Sequence, residues 1–320
     1  MKKILIINGD PNSINSEIIY KSWKKIKKSL KKQIYLISNY NLLNNQFKKL
    51  GYSMKMQKVE NVFLENNSEK LKILDVNLKF KNPFKVSKKL SSKFILSSLK
   101  KGHKLALNNK ISGVINCSID KTLLNKDKIG VTEFFASQCN IKDNSEAMLI
   151  WNKKLSVCPI TTHVNLNEVT KKLNQKLIIN KIKTINYWFK KKIKKKPRIA
   201  VLGLNPHNAE MRKNSEEVKI ILPAIKKLQK LNINIKGPLV ADTIFINDYK
   251  NYDVIVGMFH DQVLAPFKSL FKFNAVNITL GLDYLRVSPD HGTARNLIGK
   301  NKASITSFLQ CIQVIKKFGK

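Results

Sequence analysis

Residues 198–231, RIAVLGLNPHNAEMRKNSEEVKIILPAIKKLQKL, contain the clearest structural signal in the chain. The apolar run RIAVLGL predicts a buried strand, NPHNAEMRKNS predicts a polar loop, and EEVKIILPAIKKLQKL predicts a helix. A strand that leads through a loop into a helix is the repeating unit of α/β proteins with parallel sheets. This stretch therefore predicts an α/β fold.

The same alternation extends to both ends of the chain. Further strands are predicted at KILIIN, QIYLIS, SGVINCSI, AMLIWN, SVCPITTH, DVIVGM and AVNITLG, and helices at about 17–32, 96–107, 165–192 and 303–318. GVTEFFASQCN, from Gly130, is interpreted as a loop that opens a helix with Thr132 as its N-cap, and FHDQVLAPFKSL as a loop. Residues 41–89 are polar and weakly periodic, with strand-like pieces near NVFLE and ILDVNL. The pattern predicts a mainly parallel sheet.

Composition limits the class of protein. A chain of 320 residues with 43% hydrophobic residues can bury a large core. No apolar stretch approaches the roughly 20 residues of a membrane span, and MKKILIINGDP is too short for a signal peptide, so we expect no membrane partner. The four cysteines are widely separated, which favours free thiols in a reducing cytoplasm.

The formal net charge of +39 raises the question of a nucleic-acid partner. Only four of the 60 basic residues are arginine, although arginine is the side chain that favours base readout and phosphate forks. Lysine is scattered along the chain with abundant asparagine and isoleucine, as AT-rich coding would produce. We therefore favour a solvated surface with no nucleic-acid partner, and keep a lysine-rich nucleic-acid-binding protein as the alternative from another class.

Three of the five histidines stand at the end of a predicted strand: His163 after SVCPIT, His207 after RIAVLGL, and His260 after DVIVGM. Open α/β sheets bind ligands at the carboxyl ends of their strands, and imidazole is the commonest ligand of catalytic metals. Ordinary loop histidines are the alternative, because no HExxH or CxxC motif is present. The placement predicts a divalent metal site with a position open for substrate.

Several long motifs in the second half of the chain carry a resemblance: TTHVNL, PRIAVLGLNPHNAE, GPLVADTIF, FHDQVLAPFK and VNITLGLDYLRVSPDHGTA. In this order they resemble the 4-hydroxythreonine-4-phosphate dehydrogenase (PdxA) family. The resemblance implies an isopropylmalate dehydrogenase-like fold of two α/β domains with an active-site cleft between them. Residues 1–128 with about 285–320 would form the first domain, and about 129–284 the second, with the metal site and the contacts of a homodimer.

The resemblance also assigns roles to single residues. It places a divalent metal (zinc, cobalt or magnesium) on His163, His207 and His260, and substrate contacts on Thr132, Lys268, Asn277 and Arg286. No GxGxxG fingerprint follows a strand, so NAD, with NADP possible, is instead assigned to a loop that resembles an adenosine-binding loop: His291, Gly292, Thr293 and Ala294. A plain glycine turn is the alternative for that loop. Asp242, Asp261 and Lys121 are the candidates for the catalytic base, and Asp242 could also support the metal site.

The implied reaction is an oxidative decarboxylation in pyridoxal 5'-phosphate (vitamin B6) biosynthesis. A small phosphorylated substrate, 4-phosphooxy-L-threonine, would give hydride to NAD, and the resulting β-keto acid would lose carbon dioxide to leave 3-amino-2-oxopropyl phosphate. The chain is therefore expected to be an oxidoreductase that acts on a CH–OH group.

Two motifs depart from the family pattern. The family's GHTEF is GVTEF here, with Val131 in the position of a substrate-contacting histidine, and GDPAGIGPE is GDPNSINSE, which lacks both later glycines. Valine cannot hydrogen-bond to a substrate, and a loop without those glycines is expected to change shape or be strained. A sibling dehydrogenase that acts on 4-phosphothreonate or 4-phosphoerythronate is therefore the nearest alternative, and a dimer partner without catalysis is another.

Overall fold

The structure, a computed structural model, describes residues 2–64, 68–124 and 130–319. It divides into two compact units, which we call the first unit (Met1–Phe135 with Asp283–Lys320) and the second unit (Ala136–Leu282). The domain boundary predicted between residues 128 and 129 lies outside the described residues. Each unit combines a sheet with helices, so the predicted α/β class is confirmed.

The first unit has a fully parallel sheet. Its strands are β1 (Lys3–Ile7), β2 (Ile34–Ser38), β3 (Met56–Lys58), β4 (Leu71–Asp75), β5 (Ile111–Asn116) and β12 (Arg286–Pro289). Their order in the sheet is β3-β4-β2-β1-β5-β12. The central strands β1 and β2 are apolar and almost wholly inaccessible to water, as expected for strands covered on both faces.

Among the described residues of this part of the chain, the α-helices are α1 (Asn15–Lys25), α2 (Lys28–Lys31), α3 (Tyr40–Lys49), α4 (Lys88–Ala106), α5 (Val131–Gln138), in which the first unit ends, and α11 (Thr306–Phe318). Helix α4 packs directly on β1, because a Cβ atom on Gly102 would lie 2.5 Å from the Cδ1 atom of Ile7. Glycine permits this close approach between helix and sheet, because a larger residue there would have to displace the Ile7 side chain.

The second unit has a mixed sheet with β6 (Ala147–Trp151), β7 (Ser156–Thr161), β8 (Ile199–Leu202), β9 (Ile235–Leu239), β10 (Val254–Phe259) and β11 (Val276–Leu280). The strand order is β11-β6-β7-β10-β8-β9. β6 pairs antiparallel with β11 and β7, whereas β7, β10, β8 and β9 pair parallel with one another in that order. Its helices are α6 (Leu166–Lys172), α7 (Gln175–Trp188), α8 (Leu222–Lys230), α9 (Ala241–Ile244) and α10 (His260–Phe271). No helix in the described part of the chain is long and apolar enough to span a membrane.

Several predicted elements were wrong in their type or bounds. The segment predicted as a loop after β10 is α10, in which Val263, Leu264 and Phe267 are buried at helical spacing around Pro266. Helix α5 begins at Val131, so Thr132 lies inside the helix and is not its N-cap. The strand-like NVFLE forms no strand in its described residues, 61–64, whereas ILDVNL overlaps β4. The helix predicted over 165–192 is divided into α6 and α7, and the one over 17–32 into α1 and α2.

Candidate active site

The three candidate metal ligands follow three neighbouring parallel strands of the second unit. His163 lies two residues after β7, His260 directly after β10, and His207 five residues after β8. These strands are adjacent in the order β7-β10-β8, and parallel neighbours lie about 4.8 Å apart. The fold therefore places all three histidines at one edge of one sheet.

Two of the imidazole rings lie at a separation compatible with a shared ion. The ring centroids of His163 and His260 are 5.8 Å apart and the rings are tilted by 40°. Two imidazoles that bind one zinc ion through nitrogens at about 2.0–2.1 Å have centroids roughly 5–6 Å apart. The Nδ1 atom of His260 is 2.6 Å from Oδ1 of Asp261, and a hydrogen bond from Nδ1–H to that carboxylate leaves Nε2 free to bind a metal.

His207 does not form a three-residue group with His163 and His260. His207 is exposed in a 3-10 turn (Pro206–Met211) in which residues 207–211 all have left-handed φ angles between 46° and 57°. Among the described residues, no group of three or more His, Cys, Asp or Glu side chains is close enough to hold a metal ion. Three imidazoles that follow adjacent strands are suitable ligands for a divalent ion. In the structure, the rings of His163 and His260 lie close together and the ring of His207 does not complete the group.

Side-chain hydrogen bonds hold these strand ends together. We call them the strand-end bonds: they run from Thr161 Oγ1 to the Met258 carbonyl (2.7 Å), from Gln262 Nε2 to the Gly203 carbonyl (2.7 Å), and from Asn208 Nδ2 to the Pro238 carbonyl (3.1 Å). Gln262 also accepts from the amide of Met258 at 2.7 Å. They join β7 to β10, β10 to β8, and β8 to β9. Sequence reasoning missed them, although Gln262 and Asn208 stand within two residues of a candidate ligand.

A buried carboxylate fixes the loop that leads to His207. Glu217 is fully buried and accepts hydrogen bonds from the amides of Leu204 and Asn205, both at 2.8 Å, and from the Asn205 side chain. Burial by itself would raise the pKa of Glu217, but the hydrogen bonds from Asn205 and Leu204 lower that pKa below its usual range. The ionised carboxylate thus ties the start of the loop to the helical turn that follows it.

The other candidates of the second unit are spread over three elements. Asp242 is exposed in the first turn of α9, just after β9, and Asp261 is 82% exposed beside His260. Lys268 lies in the third turn of α10, with its ammonium group 5.9 Å from the ring centroid of Phe273. Asn277 is half-buried in β11, and its Oδ1 atom is buried without a hydrogen-bond partner among the described residues.

In the first unit, Arg286 and Thr132 come together. Arg286 is only 2% exposed; its Nε donates to Oδ1 of Asn116 and its Nη1 lies 3.4 Å from Oγ1 of Thr132. Burial lowers the pKa of Arg286 to about 10, so the guanidinium remains cationic at neutral pH. Asn116, at the end of β5, is a partner that sequence reasoning missed. The cluster is a fixed positive charge held between the first residue of β12 and the last residue of β5.

Lys121 has the electrostatic environment of a possible proton acceptor. It begins a 3-10 turn (Lys121–Leu123) directly after Asp120. Desolvation lowers its pKa, and the negative charge of Glu133 opposes that shift. The neutral amine is therefore easier to form than on an ordinary lysine.

The candidate cofactor loop lies after β12. His291 donates its Nδ1–H to the Gly292 carbonyl (3.0 Å), and its Nε2 is buried without a hydrogen-bond partner among the described residues. Burial lowers the pKa of His291, which favours the neutral ring. A Cβ atom on Gly292 would meet nothing within 4 Å, and the left-handed residue of the loop is Ala294, with φ of 43°. The open face at Gly292 leaves room for a ligand.

The glycine-poor loop after β1 does not carry the expected strain. Gly9 has φ of 78°, and its Cβ would lie 2.5 Å from the Ser118 carbonyl, so glycine is required there. Asn15 then donates to the carbonyls of Asn8 (2.7 Å) and Ser118 (2.9 Å). None of the described residues 11–16 has a positive φ, so of the two predicted outcomes, a changed shape or a strained backbone, the structure shows no strain at the missing glycines.

Comparisons with known protein sequences identify the same family. Residues 29–315 match the family model described as pyridoxal phosphate biosynthetic protein PdxA. Two proteins named 4-hydroxythreonine-4-phosphate dehydrogenase are similar over nearly their whole length: that of Sulfurihydrogenibium sp. is 35% identical (98% of this chain, 97% of the relative), and that of Aquifex aeolicus is 36% identical (98% of each).

Solved structures give the same result. The crystal structure of 4-hydroxythreonine-4-phosphate dehydrogenase from Klebsiella pneumoniae superposes with a TM-score of 0.85 at 27% identity and covers 100% of both chains. A β-decarboxylating dehydrogenase from Thermococcus kodakarensis, at 10% identity, 100% coverage of this chain and 85% of its own, reaches a TM-score of 0.52 and shares the fold.

Proposed function

The chain belongs to the PdxA family, and on that premise we propose that it is a metal- and NAD-dependent 4-hydroxythreonine-4-phosphate dehydrogenase. It would oxidise 4-phosphooxy-L-threonine to a β-keto acid that decarboxylates to 3-amino-2-oxopropyl phosphate. The observation that carries the proposal is the placement of His163, His260 and His207 after three adjacent parallel strands, with the first two rings 5.8 Å apart. We further propose a cytoplasmic homodimer.

Within the second unit, the chain's own groups would hold and orient the reacting end of the substrate. His163, His207 and His260 would hold a divalent ion, which when bound would supply Lewis acidity at the substrate oxygen and favour loss of carbon dioxide. Asp261 fixes the tautomer of His260, and Gln262 sets the distance between the strand ends that carry His260 and His207. Lys268 offers a cation for the phosphate, and Oδ1 of Asn277 can accept a hydrogen bond from an amino or hydroxyl group.

Within the first unit, Arg286 supplies a second positive charge in a fixed orientation. Its bonds to Asn116 and Thr132 pre-orient the guanidinium, so little side-chain entropy is lost when it binds a carboxylate or phosphate. We assign the alcohol proton to Lys121, which is exposed like Asp242 but has a pKa lowered by desolvation, rather than to Asp242 or to Asp261, which is bonded to His260. Residues 291–294 would hold the adenosine part of NAD.

The test is a coupled measurement of metal content and NADH formation. Purified protein supplied with zinc, cobalt or magnesium should form NADH and carbon dioxide in equal amounts from 4-phosphooxy-L-threonine. His163→Ala and His260→Ala should each lower the bound metal and reduce turnover at least about 100-fold, whereas Glu168→Gln, on the exposed face of α6, should change neither. Folded wild-type protein that forms no NADH with any of the three metals would overturn the proposal.

One observation favours a second candidate function. Val131, the first residue of α5, is half-buried directly before Thr132, and its apolar side chain stands where the family pattern has a histidine. A sibling dehydrogenase for 4-phosphothreonate or 4-phosphoerythronate needs a different set of polar contacts at the same place. NADH formation from those acids, and not from the amino acid, would identify it.

A further inference from the structure

Arg295 lies where three loops of the first unit meet. Its Nη2 donates to Oδ2 of Asp120 at 2.8 Å and to Oδ2 of Asp10 at 3.2 Å, and its Nε donates to the carbonyl of Asn12 at 3.3 Å. Asp10 follows β1, Asp120 follows β5, and Arg295 follows β12, and these strands are adjacent and parallel. One side chain therefore links the carboxyl ends of three neighbouring strands.

The arginine side chain is needed for this linkage. Its planar guanidinium can donate to two carboxylates and a carbonyl at once, whereas a lysine ammonium offers a point charge on a flexible stem. The Asp10 side chain is fully buried, so its negative charge depends on a well-placed cation. Only four of the 60 basic residues in this chain are arginine, and one of them stands here.

The linkage bears directly on the candidate cofactor loop. Residues 291–294 immediately precede Arg295, and Ala294 turns the chain with a left-handed φ of 43°. The Thr293 carbonyl accepts the amide of Ile14 at 3.2 Å, so the loop is attached to the segment after β1 at a second point. The side chain of Arg295 and this backbone bond together define where the open face of Gly292 lies.

We propose that Arg295, through Asp10 and Asp120, is a positioning residue for the dinucleotide: it holds residues 291–294 in the shape that binds the adenosine part of NAD. The inference rests on the proposed function, since it takes this loop as the cofactor loop. It adds a residue that does not itself touch the phosphorylated substrate and that acts on cofactor affinity in particular.

The test measures NAD binding separately from catalysis. The dissociation constant of NAD is determined by calorimetry without phosphorylated substrate, for the wild type, Arg295→Met and Arg295→Lys. The control is Arg198→Met, because Arg198 is exposed to a similar degree (45% against 47%) and pairs with Asp253 at the amino end of β8. We expect a tenfold or larger rise for Arg295→Met, a smaller rise for Arg295→Lys, and less than a twofold change for the control.

Kinetics then separate positioning from general loss of structure. The KM for NAD should rise with the dissociation constant in Arg295→Met, while the KM for the phosphorylated substrate changes less than twofold. Amide exchange in residues 291–294 should accelerate without NAD, while that of α11 stays as in the wild type. Asp120→Asn, which removes one charge of the cluster, is a second variant and should raise the NAD dissociation constant by a few-fold.

Each failure has its own meaning. NAD binding within twofold of the wild type in Arg295→Met, or equal rises in both KM values with faster exchange throughout α11, would overturn the inference. Wild-type protein that binds NAD but forms no NADH from any phosphorylated hydroxy acid would overturn the proposed substrate and leave the inference intact. Wild-type protein that binds no dinucleotide would overturn the inference together with the cofactor of the proposed function.

Discussion

Lys72 is a lysine that the first unit buries completely in β4, with 0% of its surface exposed. Its Nζ donates to the carbonyls of Lys31 (3.0 Å), Lys32 (3.1 Å) and Ser68 (3.1 Å), which use all three of its hydrogens, and it lies 4.9 Å from the ring centroid of Tyr35. Burial, with a smaller effect of the charge on Lys3, lowers the pKa of Lys72 to about 8. The hydrogen bonds hold the side chain inside, but the desolvated charge still opposes folding.

This predicts an unusual rise of stability with pH. Since the folded pKa is below the unfolded value of about 10.4, the unfolded chain binds more protons between these values, and stability increases with pH across that window. From about pH 7 to pH 9.5, the wild type should gain about 2 kcal/mol in free energy of unfolding relative to Lys72→Met. Urea titrations check this, with the exposed Lys81→Met as control. A difference that stays constant with pH would contradict it.

We expect Val131 to influence which substrate the proposed enzyme prefers. Val131→His introduces a donor and acceptor at the first residue of α5, next to Thr132 and on the same helix that contributes to the Arg286 cluster. One hydrogen bond to a substrate group is worth about 1–1.5 kcal/mol, or roughly a tenfold change in kcat/KM. We expect that gain for 4-phosphooxy-L-threonine over 4-phosphothreonate and 4-phosphoerythronate, and none for Val131→Leu, measured as NADH formation. Equal losses on all three substrates would show that the position does not select among them.

Among the secondary-structure elements, buried strands were the most predictable. RIAVLGL, DVIVGM and SVCPIT are short, apolar and β-branched, and all three are strands. Helix α10 was missed because Pro266 and the polar HDQ suggested a loop, whereas burial of Val263 and Phe267 outweighs the cost of a proline inside the helix. The strand ends that carry the histidines followed from the strand pattern. The strand-end bonds did not, because they join residues far apart in sequence whose pairing only the sheet order defines.

The loop between β8 and the helical turn at Glu217 should be the acid-sensitive element of the second unit. Because hydrogen bonding depresses the folded pKa of Glu217, its stabilisation is fully present above the unfolded value of about 4.3 and is lost as pH falls through the folded value. Glu217→Gln should therefore lower the free energy of unfolding by roughly 1.5–3 kcal/mol near neutral pH, with a shrinking difference in acid.

Urea unfolding at several pH values from neutral to about pH 3.5 tests this expectation. The neighbouring Glu216 is the matched control, because it is only half-buried and shares Asn205 as a partner. Glu216→Gln should cost less and show a weaker dependence on pH. An equal effect of both substitutions would show that the charge near Asn205 matters, and not the two backbone bonds to Glu217.

The charge of the whole molecule is the feature most easily mistaken for a function. The net charge of +39 comes mainly from lysines, most of them on the surface and spread over both units. Ion pairs such as Lys58–Asp75, Lys171–Glu168 and Lys195–Asp253 involve exposed lysines, and such pairs contribute little to stability. A diffuse positive field attracts any polyanion and also raises the local concentration of a phosphorylated substrate. A diffuse field and a binding site can be distinguished by how strongly the affinity for a polyanion depends on salt and on a few individual residues.

Binding to duplex DNA should therefore be weak, dispersed and lost at physiological salt. Counterion release makes such affinity fall by about three orders of magnitude between about 50 and 200 mM salt, and we expect a dissociation constant weaker than about 10 μM near 150 mM. Lys190→Gln combined with Lys196→Gln, both exposed in the lysine run after α7, should leave the salt dependence nearly unchanged because two charges are a small part of the total. Fluorescence anisotropy with labelled duplexes of two lengths measures both quantities. Tight binding that survives at 150 mM, or that these two substitutions abolish, would identify a nucleic-acid site and contradict the interpretation of the lysines as a solvated surface.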